Sequence, residues 1–317
     1  MCGIVGFSTR GKIYHTTDLQ DALSKLRHRG PDSEGLWLSD NSLVGLGHSR
    51  LSILDLSDHG AQPMCYEERY TLIYNGEIYN YLELQQELIA LGYIFESTGD
   101  TEVVLKWFVE YGTRGFSRLN GIFALAIWDK LTNTVVLARD KMGVKPVYYA
   151  SAEDKFAFAS EIKALSSFIT WEWEVDVNAL INYTSFIYNP AHTTPNSTVK
   201  KLKPGEILTI QDGRIIQSLN PKLCESYSIQ KAQQDKNYYI SELREHLSKA
   251  VTRQMVSDVE LGCFLSGGLD SSAICHFAKN IKDDLQCFTI SSNMDQEPSS
   301  VNDLPYAKKV ADHLGVK

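Results

Sequence analysis

A surplus of positive charge is missing from this chain: 31 Lys and Arg face 39 Asp and Glu, a formal net charge of −8. Without that surplus there is no electrostatic footprint for a nucleic-acid backbone. Long apolar runs are missing as well. The longest, residues 122–128, falls far short of the ~20 residues that a membrane span needs. The N-terminus has no basic segment followed by an apolar one, so no signal peptide is expected. Six cysteines, Cys2, Cys65, Cys224, Cys263, Cys275 and Cys287, are scattered without a CxxC pair. That spacing speaks against a zinc site or a disulfide framework and for a reducing compartment. The expected location is the cytoplasm. Internal repeats and low-complexity tracts are lacking too.

The chain does have 317 residues, 43% hydrophobic and 22% charged, ordinary for a globular protein and enough for two domains. Its first part reads as short strands with few helices. Leu19, Ala22, Leu23 and Leu26 fall on one helical face over residues 18–26. Asn80 can cap a helix that Gly92 ends, and Asp100 can cap another that turns Val103, Val104, Trp107 and Phe108 inward. Strand-like runs cover 71–74, 122–128, 134–138, 147–150 and 156–159, several of them apolar on both faces. They predict layered sheets with helices packed outside, an α+β arrangement. Residues 203–216 read as a hairpin, after which the composition turns polar. The second part changes rhythm: a helix over 238–255, a strand over 259–265, a helix over 271–279, a strand over 285–290 and a helix over 304–314. This is the opening of a parallel α/β sheet. The expected division is a first domain at 1–215, a linker at 216–235 and the start of a second domain at 236–317. Two strands are too few for an open sheet covered on both faces, so the second domain is expected to be incomplete.

Two stretches carry chemistry. Cys2 follows the initiator methionine, so removal of Met1 would leave a thiol and a free α-amine on one residue. An α-amine near its usual pKa of about 7.7–8 can act as the local base for a thiol near about 8.5. Gly3 leaves the backbone uncrowded, and Ile4-Val5 reads as the start of a buried strand. The plainer reading, that Cys2 is a small packing residue, suits the hexapeptide taken alone. The second stretch is Ser266-Gly267-Gly268-Leu269-Asp270-Ser271-Ser272, between a strand and a helix. Paired glycines turn backbone N–H groups inward, and the helix N-terminus adds partial positive charge, which makes an anion site. It lacks the Gly-Lys-Ser/Thr ending of a P-loop and suits a pyrophosphate that departs intact.

That seven-residue loop resembles the pyrophosphate loop of ATP-pyrophosphatases. Together with the N-terminal Cys-Gly-Ile-Val-Gly, the chain resembles the glutamine-hydrolysing asparagine synthetases of bacterial type. The resemblance extends over His28-Arg29-Gly30-Pro31-Asp32, Arg50-Leu51-Ser52-Ile53-Leu54-Asp55 and Tyr74-Asn75-Gly76-Glu77-Ile78-Tyr79-Asn80. It continues through Gln62-Pro63-Met64, Asp100-Thr101-Glu102, Arg139-Asp140 with Gly143-Val144-Lys145-Pro146, and Ala159-Ser160-Glu161-Ile162-Lys163. It implies an αββα layered, Ntn-hydrolase-like class II glutamine amidotransferase domain, followed by the beginning of an α/β ATP-pyrophosphatase domain.

The resemblance makes Cys2 the glutaminase nucleophile, with Asn75 and the Gly76 N–H as oxyanion hole. Arg50, with Leu51 and Ile53 beside it, would hold the glutamine α-carboxylate, and Glu77 and Asp100 its α-ammonium. Leu265, Ser266, Gly267, Gly268, Asp270, Ser271, Ser272 and Ile290 would bind ATP, with Mg2+ accompanying the nucleotide. Substrates would be glutamine, aspartate and ATP, with no nucleic acid or membrane partner and a homodimer left open. Ammonia released at Cys2 would amidate β-aspartyl-AMP to give asparagine, AMP and pyrophosphate. The alternatives are an amidotransferase of the same build with another carboxylate acceptor, and a truncated paralogue keeping only glutaminase activity or glutamine binding. Residue by residue, plainer roles compete: Asn75-Gly76 as a type I′ hairpin turn, Asp100 as a helix cap, Arg50 as half of a surface ion pair. His28 and His48 are expected to be structural, hydrogen-bonding within turns, and the other cysteines inert packing residues.

Overall fold

The computed structural model describes residues 1–168, 174–190, 192–220, 235–290 and 302–317. The chain divides into two compact units, Met1–Glu225 and Ser226–Lys317. Of the expected linker, residues 221–234 lie outside the described residues, as does Cys224.

The first unit holds twelve described strands in two antiparallel sheets of six. They are β1 (Gly3–Thr9), β2 (Ser33–Leu38), β3 (Val44–Arg50), β4 (Met64–Tyr66), β5 (Tyr70–Ile78), β6 (Gly121–Asp129), β7 (Thr134–Arg139), β8 (Tyr148–Ala152), β9 (Lys155–Ala159), β10 (Val199–Lys201), β11 (Ile207–Gln211) and β12 (Arg214–Leu219). The first sheet runs β10-β8-β9-β1-β3-β2 and the second β12-β11-β7-β6-β5-β4. Helix α1 (Thr16–Ser24) and the short α4 (Ile162–Leu165) back the first sheet; α2 (Tyr81–Ala90) and α3 (Asp100–Tyr111) back the second. Helix α5 (Val177–Phe186) also belongs to this unit.

Period-2 alternation explains the layers. Along β1, Val5 and Phe7 pack outward with Leu19, Leu23 and Leu26, while Ile4 faces inward. Along β5, Leu72, Tyr74 and Ile78 pack outward under α2 and α3, while Ile73 joins Ile4 and Leu46 between the sheets. Trp107, Ile4, Leu46 and Ile73 are each 0% exposed. Burying one large apolar side chain contributes about 1.5–3 kcal/mol, so these layers hold the unit together. The expected helix faces and strand runs recur here, with β5 and β6 longer at both ends than the runs that mark them.

Two expected caps differ. Asn80 sits at the N-cap of α2, but its side chain instead accepts from Asn120 N–H at 2.9 Å and donates to the Arg118 carbonyl at 3.1 Å. Helix α3 begins at Asp100 itself, behind Gly99, and the Asp100 carboxylate is used on β5. Tying neighbouring elements together has taken precedence over local capping in both.

The second unit contains α6 (Lys236–Gln254), β13 (Gly262–Phe264), α7 (Leu269–Lys279), β14 (Gln286–Phe288) and α8 (Leu304–Leu314). β13 and β14 pair in parallel, with Cys263 opposite Cys287. Its buried clusters are small: Val251, Ala278 and Leu285, then Leu265, Cys275 and Ala307. Along α6, Val251 is 9% exposed while Leu243 is 60% exposed. Among the described residues, no helix is long and apolar enough to cross a membrane.

Candidate active site

The site in the first unit forms where β1, β3 and β5 present inward-facing residues at one end of the layer between the sheets. Cys2 shares the parity of Ile4, Arg50 that of Leu46, and Asn75 and Glu77 that of Ile73. Strand β1 pairs with β3 so that Gly3 lies opposite Ser49, which brings Cys2 beside Leu51. The Leu51 N–H donates to Cys2 Sγ at 3.3 Å, and the thiol donates to the Leu51 carbonyl at 3.6 Å. Burial pushes the Cys2 thiol up, and the Leu51 N–H and the nearby N-terminal charge pull it down. Burial also lowers the α-amine of Met1, which stands next to the thiol in the unprocessed chain.

Arg29 Nε donates to the Cys2 carbonyl at 3.0 Å, and its Nη1 reaches Glu161 Oε1 at 3.0 Å. His28 Nε2 meets the same carboxylate at 2.9 Å. The Cys2 backbone is thus anchored by a short charged network.

Strand β5 explains the second half of the site. Asn75 and Gly76 are not a hairpin turn; they lie inside β5, opposite Ala124 and Phe123 of β6. Beyond Leu72 the other edge of β5 has no β4 partner, since that pairing spans Tyr70 to Leu72. There the Tyr74 N–H donates to Gln62 Oε1 at 2.6 Å and the Ile78 N–H to Asp100 Oδ2 at 2.8 Å. Strand alternation turns the intervening Gly76 N–H to this same edge. Any side chain at Gly76 would clash, because a Cβ there would sit 2.4 Å from the Ile122 oxygen. Asn75 Nδ2 is buried and has no hydrogen-bond partner among the described residues. A buried, unpaired amide donor costs stability unless a ligand completes it. Asn75 and Gly76 are thus adjacent residues of β5, one with an unpaired amide and the other with its N–H on the open edge.

Asp100 is buried, and its carboxylate accepts from Tyr74 Oη at 2.7 Å and from the Ile78 N–H. Burial raises Asp100, and burial together with the Asp100 charge raises Glu77 to about 8. Two carboxyls so placed favour a proton or another cation between them. Lys145, 8% exposed, lies within electrostatic reach of Glu77 and Cys2, and burial lowers its amine. Arg50 is not half of a surface pair. It is 8% exposed, and its guanidinium donates to the carbonyls of Ser57 at 3.1 Å, Leu54 at 3.3 Å and Asp55. Those bonds use three of five donors, so Arg50 shapes the loop containing Ile53 and still has donors for a ligand. His48 is in β3 rather than in a turn.

Residue types alone did not single out Arg29, Gln62, Tyr74 or Lys145. All four fall inside the motifs quoted above, which was their only signal.

In the second unit the loop over 266–272 follows β13 and opens α7. Gly267 has φ +79°, and a Cβ there would lie 2.4 Å from the Tyr306 carbonyl carbon on α8. Ser272 Oγ donates to the Gly268 carbonyl at 2.7 Å, and Ser266 and Ser271 hydroxyls meet at 3.0 Å. The Leu265 side chain is 2% exposed and belongs to the core, whereas Ile290 is 83% exposed. What Leu265 can offer a ligand at the loop is therefore its backbone.

Two stacked antiparallel sheets with helices outside, and a cysteine heading an inner strand, define an N-terminal-nucleophile, αββα-layered architecture. Residues 1–220 match the family described as "Glutamine amidotransferase domain", and residues 242–317 match "Asparagine synthase". The chain belongs to the glutamine amidotransferase domain family, joined to an asparagine synthase segment. Among curated relatives it is 38% identical over 323 residues to "Asparagine synthetase [glutamine-hydrolyzing] 1" of Bacillus subtilis, covering 100% of this chain and 49% of that protein. It is 38% identical over 307 residues to "Asparagine synthetase [glutamine-hydrolyzing] 3" of the same organism, covering 92% and 48%. The chain thus spans about half the length of these relatives. A solved glutamine phosphoribosylpyrophosphate amidotransferase from B. subtilis, in complex with ADP and GMP, shares the fold at TM-score 0.53 and 18% identity, over 95% of this chain and 68% of that one.

Proposed function

We propose that this chain hydrolyses glutamine to glutamate and ammonia at Cys2, as the glutaminase part of a glutamine-dependent asparagine synthetase. The observation that carries the reading is the orphaned Asn75 amide on β5, in the sheet facing the one whose β1 follows the half-buried Cys2 thiol. With Met1 removed, the α-amine of Cys2 takes the thiol proton and the thiolate attacks the glutamine side-chain carbonyl. Asn75 Nδ2 and the Gly76 N–H hold the oxyanion. The amine returns the proton to the departing ammonia, and water clears the thioester. Arg50 donors left free by the loop carbonyls take the α-carboxylate, and the Glu77–Asp100 pair takes the α-ammonium.

In the second unit the same reading assigns ATP to the loop over 266–272, Leu265 and Ile290, with aspartate as acceptor. Among the described residues no group of three or more His, Cys, Asp or Glu is placed to hold a metal ion. Asp270 is a single exposed carboxylate, so magnesium there would take its other ligands from phosphates and water. No step is routed through it. The reading places the working enzyme in the cytoplasm; the expected first-domain end at 215 falls inside β12, so that domain runs at least through Leu219.

The test is glutamate release by the purified chain. It is expected from the unaltered protein, absent in Cys2→Ser and close to normal in Cys263→Ser. Persistent hydrolysis by Cys2→Ser would sink the assignment.

A further inference from the structure

His48 has no step in the chemistry above, yet it is 0% exposed and lies opposite Ile4, two residues from the nucleophile. Its ring leaves β3 in the first sheet and meets the Tyr74 carbonyl on β5 in the second, 3.1 Å from Nε2. A carbonyl oxygen only accepts, so Nε2 carries the proton. Burial, the largest influence, holds the imidazole neutral, with its pKa lowered to about 3. Nδ1 is then bare, and it is buried without a partner among the described residues. An apolar residue would avoid that cost. The bond that the ring does make therefore calls for an explanation.

That bond holds the peptide group joining Tyr74 to Asn75. The N–H of Tyr74 is held by Gln62 at 2.6 Å, so both peptide planes at Tyr74 are fixed on the open edge of β5. The next residues along are Asn75 and Gly76, one carrying the unpaired amide and the other the edge-facing N–H. We propose that His48 is a positioning residue for the oxyanion hole, a strut from the nucleophile's sheet to the oxyanion strand that sets the Asn75 amide and the Gly76 N–H against the carbonyl attacked by Cys2. The inference rests on the glutaminase reading. Oxyanion donors must lie about 2.7–3.1 Å from the oxygen they stabilise, and a misplacement of about 1 Å can cost ~10²-fold in rate. Neither sheet alone sets that distance; the strut does.

The experiment compares His48→Leu with His48→Gln, whose amide reaches about as far as Nε2 and can donate to the Tyr74 carbonyl. For glutamine hydrolysis, His48→Leu is expected to lower kcat by about 10–100-fold with KM within about twofold, because the oxyanion exists only near the transition state. His48→Gln should recover most of the kcat. Alkylation of Cys2 by iodoacetamide, which develops no carbonyl oxyanion, should proceed at the unaltered rate in both. Should His48→Leu fail to fold, His48→Met replaces it and must lose the kcat that His48→Gln keeps. An unchanged kcat in the apolar variants, equal loss in His48→Gln, or alkylation and KM failing together with kcat would overturn the inference. Glutamate release that survives in Cys2→Ser would instead overturn the reading on which it rests.

Discussion

Cys2, Asn75 and Asp100 reach one place from three elements, two sheets and a helix, whereas residues 266–272 are consecutive and shape their own loop. The first site depends on the packing of a whole unit. Its geometry follows from which residues of β1, β3 and β5 share the layer between the sheets, where Ile4, Leu46 and Ile73 are 0% exposed. The second loop is held by its own serine hydroxyls and by a single close approach, Gly267 against α8. Around it Phe264 is 78% exposed, Phe288 53% and Ile290 83%. A local loop can keep its shape without a large core, but a ligand pocket needs walls. The comparison predicts a chain that hydrolyses glutamine yet releases no pyrophosphate from ATP and aspartate. Aspartate-dependent pyrophosphate at a rate matching glutamate production would erase the contrast.

The largest effect expected from a substitution is at Asn75. Asn75→Ala should lower kcat for glutamine hydrolysis by ~10²–10³ and leave KM nearly unchanged, since one oxyanion donor is lost. Arg50→Ala comes next. Losing a charged hydrogen bond to a carboxylate costs about 1.5–3 kcal/mol, so KM should rise roughly 10–100-fold. If Asn75→Ala raised KM and Arg50→Ala lowered kcat, the two roles would have been exchanged.

Gly267→Ala tests the other side of the comparison. Its positive φ costs an alanine about 1–2 kcal/mol, and the contact with Tyr306 adds to this. The thermal transition of the second unit should fall while glutamate release holds. A parallel loss of glutamate release would mean that the two sites are not independent.

The same contrast explains what could be read without coordinates. The loop over 266–272 was legible because its residues are adjacent, and α3 because Val103, Val104, Trp107 and Phe108 recur at helical spacing. The role proposed for Asn75-Gly76 comes only from resemblance, since the dipeptide alone suggests a turn. Its place inside β5 is decided by pairing with β6, more than forty positions away in the chain. Asp100 reads as a cap because local chemistry favours one there; Tyr74 and Ile78 claim the carboxylate instead. The His48 bond crosses between sheets, and no local pattern encodes it.

Glu77 gives the smallest effect and the finest test of the first site's electrostatics. Burial and the Asp100 charge raise its carboxyl from 4.5 to about 8. Between those values the folded protein keeps a proton that the unfolded chain releases. Unfolding therefore sheds protons, and stability falls as pH rises through that window. Glu77→Gln removes the penalty, so its melting temperature should exceed that of the unaltered chain by little near pH 5 and by clearly more near pH 9. Activity should move the opposite way, because the variant loses a charge for the glutamine α-ammonium and KM should rise. Thermal melts across that range with matched kinetics provide the check. A stability gain that stays flat between pH 5 and pH 9 would mean that Glu77 is already ionised across that range, and that Lys145 rather than a proton or substrate ammonium balances its charge.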